Sequence, residues 1–196
     1  MTIVIATGNR HKAEEFSRIF SDHRIVLPAD RGIMFDPEET ATTFYGNALI
    51  KARTLFELMG EPVIADDSGI CVDALNGEPG VYSARYGATN GIELSAEDRN
   101  KLLLSRMKGI PDRTARFVCN MVLYYGPDRF VSVQETLEGS IVSESGSGSG
   151  GFGYDPVLYL PEYGKTVAEL SDDQKDLVSH QGKAARKLQI FLNSEK

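Results

Sequence analysis

Residues 63 to 87, VIADDSGICVDALNGEPGVYSARYG, constrain this chain more than any other stretch. Val63-Ile64-Ala65 follows Gly60 and Pro62 as a short apolar run, the pattern of a buried strand. The strand is expected to end at Asp66-Asp67-Ser68-Gly69. Two adjacent carboxylates at the end of a buried strand repel each other and lose solvation, so they need compensation. Water is one source and a divalent cation is another. In open α/β sheets ligands sit at the carboxyl ends of strands, which is where the pair falls. Asn76-Gly77 and Pro79-Gly80 are turn signals that fold the chain back beside the acids. An acidic turn without a ligand accounts for these residues equally well, because turns favour Asp, Ser and Gly.

Ile3-Val4-Ile5-Ala6 is a second buried-strand candidate, broken by Thr7-Gly8-Asn9. From Lys12 onward, Ala13, Phe16, Ile19 and Phe20 recur at helical spacing. The order is strand, glycine turn, helix start, with Arg10 and Lys12 at its mouth. Unpaired N–H groups and the helix dipole make such a junction a natural phosphate site, although many folds use the turn with no ligand. It is not a Walker loop, since G-x-x-x-x-G-K-[ST] is absent.

Arg24 to Ala29 reads as a further short strand, and Asp36-Pro37-Glu38-Glu39-Thr40 as an acidic loop leading into a helix. Ala41, Phe44, Ala48, Ala52, Leu55 and Met59 would form the helix's apolar face, with Gly60 as its stop. Thr43, Asn47 and Lys51 make another stripe, and Glu38 and Glu39 sit at the N-terminus, where the dipole alone would favour them. By the same reading Lys51 is an ordinary solvated lysine.

Ser95-Ala96-Glu97-Asp98 resembles a helix start, with Leu102, Leu103 and Met107 inside and Gly109 and Pro111 at the end. Arg116 to Tyr125 and Phe130 to Leu137 are strand-like runs joined by Gly126-Pro127-Asp128, a hairpin that makes the sheet mixed. Residues 143 to 151, SESGSGSGG, have the composition of a flexible linker. Phe152-Gly153-Tyr154-Asp155-Pro156 argues otherwise: glycines let backbone approach a ligand, and aromatics offer a base a stacking face. Lys165 to Leu170 reads as extended, and Ser171 with Gln174 as the cap of a turn containing Lys175. Ser179-His180-Gln181-Gly182-Lys183 opens a last helix with Ala184, Leu188, Phe191 and Leu192 inside. A lone His180 there is commonly a surface or capping residue.

At 196 residues the chain is long enough for a sizeable core in one domain or a two-lobed one. The net charge of -7 argues against a nucleic-acid binder, which needs a basic face, but leaves room for a small anion in a local basic pocket. No apolar run reaches membrane-spanning length, and MTIVIATGNRHK lacks a secretory layout. Cys71 and Cys119 lie far apart in apolar runs, which reads as two buried free thiols in a reducing cytoplasm.

Taken in order, ATGNRHK near the start, EET...F..NA..KA at 38 to 52, ADDSG...DALNG.PGVYSARYG at 65 to 87, GGFGYDP at 150 to 156, KT.AEL at 165 to 170 and SH.GKA at 179 to 184 resemble the inosine/xanthosine triphosphate pyrophosphatase family. Each piece alone is weak, but the series spans nearly the whole chain in the family's order. The resemblance implies one two-lobed α/β domain over residues 1 to 196, with a long mixed β-sheet flanked by helices and a ligand cleft between the lobes. It also implies a homodimer and magnesium-dependent hydrolysis of a non-canonical purine nucleoside triphosphate (ITP, dITP or XTP) to the monophosphate and pyrophosphate.

Carried over to this chain, Thr7, Gly8, Asn9, Arg10, His11 and Lys12 hold phosphate, with Lys51 adding charge. Glu39 and Asp67 serve the Mg2+, Asp67 is the general base, and Ser68 touches substrate. Phe152, Gly153, Tyr154, Asp155, Lys175 and His180 face the base or its sugar-phosphate. The family segment usually reads Ser-His-Arg-Gly, and Gln181 stands here in place of the arginine. Arginine is donor-only and suits a 6-oxo purine, whereas glutamine also accepts, so a narrower preference over ATP is expected. Asp66 is open between metal ligand and supporting group. A pyrophosphatase with another base preference, or a nucleotide sensor without turnover, are the alternatives, and a poised base beside a metal site weighs against the sensor.

Overall fold

Period-two alternation in the strands decides how the chain layers. The computed structural model describes residues 2–144, 146 and 151–194, and for 10, 11, 193 and 194 the backbone alone. In chain order the elements are β1 (Thr2–Ile5), α1 (Arg10–Ile19), β2 (Arg24–Val26), α2 (Phe44–Met59), β3 (Val63–Val72), α3 (Ala96–Arg106), β4 (Thr114–Gly126), β5 (Arg129–Ile141), β6 (Leu158–Leu160), β7 (Lys165–Thr166), α4 (Asp172–Val178) and α5 (His180–Ser194). Among the described residues seven strands form a sheet in the order β2-β1-β3-β4-β5-β6-β7. It is mixed as expected: β1 runs parallel to β2 and β3, and β6 runs antiparallel to β5 and β7.

The chain divides into two compact units. One comprises Met1–Ser68, Cys119–Glu135 and Asp176–Lys196, and the other Gly69–Val118 and Thr136–Lys175. In the first, one face of β1, β3 and β4 (Ile3, Ile5, Ile64, Cys119, Met121, Leu123) packs against Phe16 and Phe20 and against Ala184, Ala185, Leu188 and Leu192 of α5. The alternate residues Val4, Ala6, Val63, Ala65, Val122 and Tyr124 pack against Ala48, Ala52 and Leu55 of α2. Each buried Leu or Ile side chain stabilises such a layer by about 1.5–3 kcal/mol. The second unit buries Ile70 and Val72 of β3, Leu103 and Met107 at the inner side of α3, and Leu137, Ile141, Val157 and Leu158.

Several expectations shift. β3 does not end at the acids but runs on to Val72, carrying Asp66 and Asp67 in mid-strand. β2 stops at Val26, and Pro28–Arg31 form a 3-10 turn, because Pro28 brings no ladder donor. α2 starts at Phe44 with Thr43 as N-cap, its hydroxyl accepting from Gly46 N, so Ala41, Glu38 and Glu39 lie outside it and the dipole does not account for the glutamates. Only Lys165 and Thr166 of the 165–170 piece are strand, followed by a 3-10 turn at Val167–Glu169 that a Thr166–Glu169 capping box closes. Phe191 is 44% exposed, and Ala185 takes the inner place assigned to it. Ser171 and Gln174 do cap α4 reciprocally. Of the linker-like stretch 143 to 151, residues 145 and 147 to 150 lie outside the described residues.

Candidate active site

The pleat that layers the first unit also parts the two acids. Asp66 follows Ile64 onto the α1 and α5 side, and Asp67 follows Ala65 onto the α2 side. Each then meets a lysine from the helix on its own side, so the compensation demanded by the sequence comes from ammonium groups. On the α1 side, Lys12 Nζ donates to Asp66 Oδ2 at 2.6 Å, and Ser68 Oγ donates to the same oxygen at 3.3 Å. Burial pushes the Asp66 carboxyl up, but the charge of Lys12, with Lys51 and the Lys12 hydrogen bond behind it, holds it below the usual carboxylate range. Burial likewise depresses Lys12, and Asp66 outweighs it, so the ammonium is held above its ordinary value.

On the α2 side, Lys51 Nζ donates to Glu39 Oε1 at 2.8 Å and to Asp67 Oδ1 at 3.0 Å. Asn47 Nδ2 reaches Asp67 Oδ2 at 3.3 Å. Burial raises the Asp67 carboxyl; Lys51 pulls it back and Glu39 repels it, and the balance stays above the usual range. Lys51 is therefore half-buried rather than solvated. Glu39 arrives from the loop before α2, which Asn47 pins by accepting from Ala41 N at 3.0 Å. Gly46 permits that approach, since a side chain there would stand 2.5 Å from Ala41 Cβ.

The turn ahead of α1 is built as the sequence suggests. Thr7 Oγ1 accepts from Asn9 N, and Asn9 caps the helix through Lys12 N and Ala13 N. Gly8 is exposed, Thr7 is buried, and the side chains of Arg10 and His11 are outside the described residues. At the start of α5, His180 and Gln181 are both buried rather than on the surface. Gln181 lies near enough to Asp66 to help hold its carboxyl down, yet among the described residues its two amide atoms and Asp66 Oδ1 have no partner in hydrogen-bond geometry.

In the second unit, Asp155 Oδ2 accepts from Phe152 N at 2.8 Å and from Lys175 Nζ at 2.9 Å. The Lys175 ammonium also stands 4.5 Å from the Phe152 ring centre. Burial raises Asp155, and Lys175 and the Phe152 N–H only partly offset it. Tyr154 is not a stacking face: it is buried, and its hydroxyl donates to Ser83 O at 2.9 Å, a use its neighbours in sequence do not signal. Sequence reasoning also passed over Asn47 as a partner of Asp67 and over Asn100. The signal at Asn100 is an asparagine in line with Leu103 and Met107, and at Asn47 its place one turn before Lys51 on the same stripe.

Among the described residues no three His, Cys, Asp or Glu side chains cluster as a metal cage. Glu39 and Asp67 nevertheless converge on one cation, the Lys51 ammonium, and two carboxylates suit Mg2+, which keeps waters and takes the rest of its oxygens from phosphate. Among the described residues no helix is long and apolar enough to cross a membrane.

The chain is similar to the dITP/XTP pyrophosphatase of Treponema denticola, 52% identical over 192 residues that cover 98% of each. Among solved structures it is similar to the Staphylococcus aureus Ham1 protein, with a TM-score of 0.88, 40% identity and 100% of both chains covered. A HAM1 protein from Coxiella burnetii gives 0.89 at 34% identity over 99% of each chain. The Ham1 family model matches residues 3–191. With that match running over nearly the whole chain, from β1 into α5, the chain belongs to the Ham1 family.

Proposed function

We propose that this chain hydrolyses non-canonical purine nucleoside triphosphates, ITP, dITP and XTP, to the monophosphate and pyrophosphate, with residues 1 to 196 acting as one catalytic domain. The observation that carries the reading is the meeting of Glu39 and Asp67 on a single cationic position, the Lys51 ammonium. The dITP/XTP pyrophosphatase name of its Treponema denticola relative supports the substrate class.

Glu39 and Asp67 would hold Mg2+, which supplies positive charge against the phosphate oxygens when bound. The Thr7–Asn9 turn with the α1 backbone, Arg10, His11 and Lys12 take phosphate, and Ser68 stands beside them. Lys12 is held by Asp66 here, so substrate phosphate competes with Asp66 for that ammonium. Lys51 likewise shifts from carboxylate to phosphate, because one ammonium has three donors to share. Asp67 takes the proton from water as its oxygen bonds to phosphorus. The bridging P–O bond between the α and β phosphates breaks, and pyrophosphate leaves with its electron pair. Positioning with charge neutralisation supplies most of the rest. Phe152, Gly153, Asp155, Lys175, His180 and Gln181 face the base or sugar, and Tyr154 braces the turn from behind.

The place of action is the cytoplasm, where thiols stay reduced, and free Cys71 and Cys119 fit it. A homodimer completes the reading. Pyrophosphate release from ITP, dITP, XTP, GTP and ATP at one magnesium concentration tests it. The 6-oxo non-canonical substrates should turn over fastest; no release, or equal rates with ATP, would overturn the assignment.

A further inference from the structure

Asn100 lies on the buried side of α3 with Leu103 and Met107, a place where an apolar residue is expected. Its Nδ2 donates to Gly153 O at 3.0 Å. Its Oδ1 is buried with no hydrogen-bond partner among the described residues, so the side chain carries a desolvation cost that packing does not explain. Gly153 has φ +61°, the left-handed region, in a turn whose glycine is free to take other conformations. Asp155 holds the Phe152 N–H and Tyr154 is tied to Ser83, and among the described residues Asn100 is the one that holds the Gly153 carbonyl.

We propose that Asn100 is a positioning residue for base selection: by holding the Gly153 carbonyl it sets the backbone of the Phe152–Asp155 turn and the tilt of the Phe152 ring. The inference rests on the base-facing role proposed above for that turn. A group that acts only on the base end raises KM and narrows discrimination between bases while phosphate chemistry proceeds at its usual rate.

The test compares Asn100→Leu, Asn100→Asp and Phe152→Ala, with kcat and KM for ITP and ATP and melting curves for each. Asn100→Leu removes the unpaired oxygen but also takes the donor from the half-buried Gly153 carbonyl, and the two effects oppose each other, so it should melt close to the wild-type temperature. Its KM for ITP should rise about five-fold with kcat within about two-fold, and the ITP-over-ATP ratio of kcat/KM should fall by a similar factor. Asn100→Asp keeps the shape but sets an acceptor against a carbonyl, and should lower the ratio further; it decides the matter if the leucine variant does not fold. A ratio unchanged in a folded Asn100 variant, while Phe152→Ala lowers it, overturns the proposal and leaves the base site standing. A ratio unchanged in Phe152→Ala overturns the base-facing role of the turn, and the proposal falls with it.

Discussion

Asp66 and Asp67 are chemically identical neighbours, yet they face opposite sides of one strand and different company. On the α1 side, Lys12 bonds Asp66, which stays below the usual carboxylate range. On the α2 side, Asp67 shares Lys51 with Glu39, and burial leaves it above that range. Among the described residues the direct ion pairs differ in count: one ammonium to one carboxylate against one ammonium to two. A single pleat thus separates a carboxyl held below its ordinary range from one held above it.

The largest effect should come from breaking the Asp66 side. Asp66→Asn strands Lys12, whose side chain is only 13% exposed, and losing one partner of a buried pair costs about 3–5 kcal/mol. For a chain of this size the melting temperature should fall by about 10 °C at neutral pH. An unchanged melting curve would abolish the contrast between the two sides. Asp67→Asn should do the reverse: turnover drops by about 10²-fold or more, while Lys51 keeps Glu39 and the fold holds. Near-normal turnover in that folded variant would remove Asp67 as the base.

Gln181→Arg sharpens the comparison, since it places a second cation beside Asp66. A guanidinium has donors to spare for a 6-oxo base after meeting Asp66 Oδ1, so the ITP-over-ATP ratio of kcat/KM should rise by about ten-fold. An unchanged ratio would mean that Asp66 consumes the arginine and base choice lies elsewhere. The smallest effect concerns Asp155, a third buried carboxyl and, like Asp67, raised. A raised carboxyl contributes stability below its ordinary value of about 3.9, and that contribution is lost as pH rises through the folded value. The melting-temperature advantage of wild type over Asp155→Asn should therefore be greatest in acid and shrink as pH rises. A constant difference across that range would show that Lys175 fully offsets the burial.

Much of the framework was legible in residue order. The apolar runs at Ile3–Ala6 and Val63–Ala65, the Thr7–Asn9 break and the stop at Gly60 depend on local propensity and short-range pattern, and the strands and helices stand near where these place them. The motif series was specific enough to name the family now matched over residues 3–191. Less legible was anything set by a partner distant in sequence. The acids suggested a strand end because two charges in mid-strand are unaffordable alone, and the lysines that make them tolerable stand 54 and 16 residues away. Tyr154 advertised an aromatic face, and only the approach of Ser83, 71 residues back, turned it inward.

The sequence by itself determined the element order, the mixed sheet, the family and the set of polar residues available for chemistry, because periodicity, turn residues and motif order are all read along the chain. Only the tertiary structure decided which lysine serves which acid, where Glu39 comes to rest and which asparagine holds Gly153. Those are distances between residues that meet through folding, and Coulomb and hydrogen-bond energies depend on such distances rather than on position in the chain.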